Sequence, residues 1–97
     1  MIKFVKVRGE SMAPTFADGD YLLITKARTF RSGFVVLVDH PKFGVIVKRV
    51  LSVTYTSVCL EGDGHHSTSL HSMKDVALEN LKGRVRLAIT PKGLKRL

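Results

Sequence analysis

Apolar and polar positions alternate along this chain in short bursts separated by turn-forming residues. The bursts are "IKFVKV" (2–7), "DYLLITK" (20–26), "FVVLVD" (34–39), "VIVKRVLSV" (45–53), "TSVCLEG" (56–62) and "RVRLAI" (84–89). Val, Ile, Leu, Phe and Tyr dominate them, while Gly, Pro, Asp and Ser lie between, so each reads as a β-strand ending in a turn. The pattern predicts a mainly β fold. One segment departs from it: "SMKDVALENLKG" (72–83) fits either a short helix closed by Gly83 or an ordered loop. "ADGD" (17–20) is a turn with a mechanism, because Gly19 can take a positive φ and the aspartates can accept bonds from nearby backbone amides. "EGDG" (61–64) has the same chemistry and opens the most polar stretch, "GDGHHSTSLHS".

The 97 residues support a single domain over 1–97, near the lower size at which one core suffices. Apolar residues at 44% and charged ones at 25% argue against disorder. "FVVLV" (34–38) and "FGVIV" (43–47) are far shorter than a membrane span, and Lys3, Lys6 and Arg8 interrupt any secretory signal. The expectation is a cytoplasmic location or one peripheral to the membrane, unless the chain is a fragment. Cys59, the single cysteine, cannot form an internal disulfide and reads as a small buried hydrophobe. A formal charge of +8 favours anionic partners without naming one.

In "VIVKRV" side chains alternate, so Lys48 shares a face with Ile46 and Val50, and Arg49 shares one with Val47 and Leu51. Both faces are largely apolar, so parity does not choose between the cations. Chemistry does: arginine stays protonated, whereas a lysine amine dried by aliphatic neighbours can lose its proton near neutrality. Such an amine within hydrogen-bond reach would activate a serine hydroxyl, and Ser11 stands in an irregular loop near the start of the chain. Residue chemistry alone leaves this one Ser–Lys pairing among many.

"GESMAPTFADGD" (9–20) resembles the nucleophile box of type I signal peptidases and of the related LexA-repressor-type peptidases. "VKRV" (47–50) resembles their lysine box, and "GDG" (62–64) leading to "LKGRV" (81–85) is similar to the closing box of the signal peptidase branch. The boxes follow in family order over positions 9–85. This resemblance implies a small coiled, barrel-like β-sheet of the signal peptidase and LexA C-terminal domain type, carrying a Ser–Lys dyad. Ser11 would be the nucleophile and Lys48 the general base. Met12 would line the substrate cleft, and the Ser11 N–H would donate to the oxyanion. Gly9, in the same cleft, lacks the hydroxyl that some relatives use as a second donor. The closing box departs from the family's Gly-Asp-Asn, later serine and Asp-Ser-Arg: Gly64 replaces Asn, and the later Asp and Arg have no clear equivalents. Thr68, in a register shared with Ser67 and Ser69, would orient the lysine.

The implied activity is that of a serine endopeptidase acting in trans on a polypeptide with a cleavable leader, cutting after small residues as in signal peptide processing. No cofactor is implied. Self-cleavage of the LexA kind is not expected, because ten residues precede Ser11 and no Ala-Gly or Cys-Gly pair occurs. The chain resembles the short soluble members, including the maturation proteases of nickel-type superoxide dismutase. His65, His66 and His71 with Asp63 match no standard metal motif, so a solvated loop and no metal are expected. Two alternatives remain. One is a catalytically impaired member; the other is a basic β-domain, with Arg84 and Arg86 on one strand face, that binds nucleic acid or an anionic surface. With five Phe, two Tyr and no Trp scattered along the chain, no stable nucleic acid partner is expected. "PKGLKRL" (91–97) reads as a solvated basic end, capable of weak contact with an anionic membrane surface.

Overall fold

The longest apolar run of the sequence forms the strand on which the rest of the molecule is built. A computed structural model describes residues 2–64 and 73–97, and in it β3 (Val35–His40) has Val35, Val36, Leu37 and Val38 all buried. An unbroken run needs apolar cover on both faces. Val35 and Leu37 meet Met12, Phe16, Leu22, Ile24, Val85 and Ala88 on one side. Val36 and Val38 meet Val50, Val58, Leu60, Val76 and Leu81 on the other. Each fully buried Val or Leu in these cores contributes about 1.5–3 kcal/mol of transfer free energy.

The remaining strands are β1 (Ile2–Lys6), β2 (Tyr21–Thr25), β4 (Gly44–Val53), β5 (Ser57–Glu61), β6 (Met73–Ala77), β7 (Leu81–Thr90) and β8 (Gly93–Arg96). The sheet is antiparallel in the order β1-β2-β7-β3-β4-β5-β6 and curls into a half-barrel, as the resemblance implied. β7 is shared: β3 pairs with it through Leu81, Gly83 and Arg84, and β8 pairs with it from Leu87 to Thr90. All six predicted strands are present.

Two segments differ from the sequence expectation. The helical reading of 72–83 is wrong over its described part, where Met73–Ala77 is β6, Leu78–Asn80 one 3-10 turn and Gly83 lies inside β7. Met73, Val76 and Leu81 mimic helical spacing because Asp75, at φ 56°, breaks the two-residue period of the strand. All three pack into the second core. The basic end is solvated, as expected, with residues 91–96 exposed, but it forms a strand: Thr90 Oγ1 donates to the Gly93 carbonyl and accepts from the Lys92 N–H, closing a hairpin. Leu97 packs against the first core. Cys59 is half-buried on β5.

Candidate active site

The loop between β1 and β2 is coiled by its own carbonyls. Ala13 N–H donates to the Glu10 carbonyl at 3.0 Å and Thr15 N–H to that of Met12 at 2.9 Å. This winding puts Met12 and Phe16, four residues apart, down into the first core, where they are only 2% and 3% exposed. Ser11 is left outside. The two aspartates of the predicted turn fasten the loop: Asp18 Oδ1 accepts from Gly9 N–H at 2.7 Å and the buried Asp20 accepts from Ala17 N–H at 2.9 Å. Gly19, at φ +92°, supplies the backbone conformation the turn needs.

β4 delivers Lys48 beneath this loop. Its side chain is 6% exposed, and among the described residues no carboxylate pairs with it, since the one ion pair there is Arg49–Asp63. Burial alone pushes the ammonium pKa below its ordinary 10.5. Ser11, Met12 and Lys48 line one cavity of about 320 Å³, whose other walls include Val5, Val7 and Val47. Ser11 N–H takes no partner among the described residues. Ser11 and Lys48 both line this space without a hydrogen bond between their side chains; nucleophile–base contacts are commonly loose until substrate tightens them. Gly9 lies outside the cavity lining, its N–H committed to Asp18.

Gly62 explains how loop and lysine come together. The β4–β5 register pairs Arg49 with Glu61, which sets Gly62 beside Lys48. A Cβ built on Gly62 would lie 2.5 Å from the Ser11 carbonyl oxygen and 3.4 Å from Lys48 Nζ. Only a residue without a side chain lets the serine loop descend this far. Gly64 N–H then donates to the same Ser11 carbonyl at 2.9 Å.

The next residue, Asp63, ties three segments together. It accepts from Arg49 Nε at 2.8 Å, from Arg49 Nη2 at 2.7 Å and from Thr15 Oγ1 at 2.5 Å. Arg49 Nη1 continues to the Gly33 carbonyl at 2.7 Å. The Arg49 hydrogen bonds are the largest influence holding the Asp63 carboxyl below its ordinary pKa; Asp63 in turn raises that of Arg49. From β8, Lys95 Nζ donates to the Thr15 carbonyl at 2.6 Å. The sequence reading found no brace for the site. Arg49, Asp63 and Thr15 form one, and its signal was the "GDG" directly following β5. Thr68 and the loop histidines His65, His66 and His71 lie outside the described residues.

The chain matches the family model described as Peptidase S24-like over residues 2–65. It belongs to that family. The match takes in the serine loop, Lys48, Gly62 and Asp63 of this Peptidase S24-like domain, while β6 and β7 complete its cores from beyond the match. No curated protein and no solved structure matches the chain. Among the described residues of this S24-like domain, no helix is long and apolar enough to cross a membrane.

Proposed function

We propose that this chain is a serine endopeptidase in which Ser11 attacks the scissile carbonyl and Lys48, as the neutral amine, takes the hydroxyl proton. The observation that carries this reading is the arrival of Ser11 and the buried Lys48, which has no carboxylate partner among the described residues, on one cavity. The proton then passes from the lysine to the leaving amine, and water repeats the sequence on the acyl-enzyme. The Ser11 N–H, without a partner among the described residues, supplies an oxyanion donor.

The substrate is an extended polypeptide acting in trans. Among the described residues β1 pairs with β2 alone, and β4 pairs with β5 only from Arg49 onward, so the edges of β1 and of Gly44–Lys48 are both unfilled where they border the cavity. A peptide strand laid between them finds main-chain partners, and the apolar wall of Val5, Val7 and Val47 suits small side chains. The partner is a protein bearing a cleavable leader, and the reaction needs no cofactor.

Peptides with Ala at the first and third positions before the cut test this directly. Turnover by the wild type, lost in Ser11→Ala with folding intact, is the expected result. An inert wild type would establish instead the impaired member of the family.

A further inference from the structure

Away from the serine loop, the β2–β3 connection and β7 enclose a second hollow of about 410 Å³. Five cations line it, Lys26, Arg28, Arg31, Arg84 and Arg86, and no carboxylate is among its lining residues. None of the five forms an ion pair within the described residues, where Arg49–Asp63 is the one such pair. Arg84 and Arg86 alternate onto the same side of β7, about 7 Å apart along the strand. Each is held in place by a contact that consumes little of its donor capacity. The Arg84 guanidinium lies 3.6 Å from the Phe34 ring centroid, and Arg86 Nε donates to Thr25 Oγ1 at 2.8 Å. Desolvation, and after it the like charge of Arg86, depresses the Arg84 pKa. Like charges gathered in a concavity repel one another and focus a positive field into it. A bound anion relieves the first and is drawn by the second.

We propose that this hollow binds a compact phosphoryl-bearing anion of two or more negative charges. Guanidinium forks match the paired oxygens of a phosphoryl group, and several arginines converging from two segments can each offer a donor pair. The site does not suit a nucleic acid strand. Phe34 is the one aromatic in its lining; Arg84 covers one face of that ring and the ring packs against the second core, so it is a poor platform for a base. The inference is independent of the peptidase reading, because none of these residues lines the Ser11–Lys48 cavity.

Titration calorimetry of the full chain with pyrophosphate tests the chemistry, and co-sedimentation with phosphatidylcholine vesicles with and without phosphatidic acid, whose phosphomonoester headgroup reaches two negative charges, tests its source. Saturable pyrophosphate binding at one site per chain is expected, about tenfold weaker in Arg84→Gln and in Arg31→Gln. Lys74→Gln, on β6, should bind as the wild type does, and turnover at Ser11 should be unchanged in all three. Binding should also weaken steeply as salt rises. Vesicle binding that needs phosphatidic acid, is lost in the same two variants and is competed by pyrophosphate identifies a lipid headgroup; pyrophosphate binding without vesicle binding identifies a free phosphorylated compound. Arg31→Gln guards against Arg84→Gln acting through lost packing on Phe34. The proposal is overturned if neither probe binds, if both variants bind normally, or if polyglutamate or a single-stranded oligonucleotide binds more tightly than pyrophosphate at equal ionic strength.

Discussion

The two hollows of this molecule treat cations in opposite ways. In one, Lys6 and Arg8 stand exposed at the lining while Lys48 alone is buried among aliphatic side chains, with no carboxylate partner among the described residues; in the other, five cations crowd an open concavity. Burial destabilises the charged form of an amine that can shed its proton, so Lys48 is fitted to be a base. Crowding disfavours charge as well, but arginine cannot discharge, and its repulsion is relieved only by binding an anion. Surroundings decide which use a positive side chain is put to, and residue identity decides which escape it has.

Removing the base or the nucleophile breaks the contrast most severely. Ser11→Ala, Lys48→Ala and Lys48→Arg should each lower peptide turnover by at least about 10³-fold, read as initial rates on an Ala-containing peptide. The arginine variant matters most, since it keeps the charge and loses the ability to accept a proton. Wild-type activity should fall as acid protonates the depressed Lys48 amine, with the limb of the pH–rate profile lying below the ordinary lysine value of 10.5. A rate that persists in Lys48→Arg removes lysine from the mechanism.

Gly62→Ala comes next. Its methyl group would fall 2.5 Å from a backbone oxygen, which cannot yield as a flexible side chain would, so the serine loop must lift. A displacement near 1 Å lowers kcat by roughly 10²-fold, with a stability loss of about 1–3 kcal/mol. Normal kcat in this variant would show that loop and lysine do not depend on their close approach.

Asp63→Asn should act chiefly on stability. It leaves Arg49 and Thr15 with a weaker acceptor and lowers unfolding free energy by about 2 kcal/mol, seen as a drop in thermal midpoint. The folded carboxyl titrates below its ordinary 3.8, so its contribution is present above that value and is lost as pH falls through the lower folded one. The acid limb of the stability curve should therefore flatten in the variant. An unchanged limb would mean that the Arg49 pairing contributes nothing in solution.

Strand positions were legible because the period of two survives wherever one face is buried, as at Leu22 and Ile24 or Val58 and Leu60. They were misread where that period breaks, at Asp75, or where no residue is buried, as along Gly93–Arg96. The Ser11 and Lys48 motifs could be named from residue types and order, but their shared cavity is a product of curling the sheet and could not be. Parity left Lys48 and Arg49 equivalent. What separates them is Asp63, fourteen positions further along, which captures the arginine and leaves the lysine without a carboxylate partner. A neighbour brought in by topology carries no local signal.

The smallest expected effect tests the dryness itself. Because burial lowers the Lys48 pKa in the folded state, the unfolded chain binds more protons between that depressed value and 10.5, and stability contributed at this position rises with pH across the window. At neutral pH the lysine opposes folding. Lys48→Met keeps an unbranched apolar stem in the cavity and removes the amine, so it should raise unfolding free energy by about 1 kcal/mol near pH 7, and the gain should shrink toward alkaline pH. Denaturant unfolding at pH 7 and pH 10 measures both. A loss of stability at pH 7, or a gain that does not change with pH, would mean that water reaches Nζ freely, and the two hollows would then differ in number of charges but not in kind.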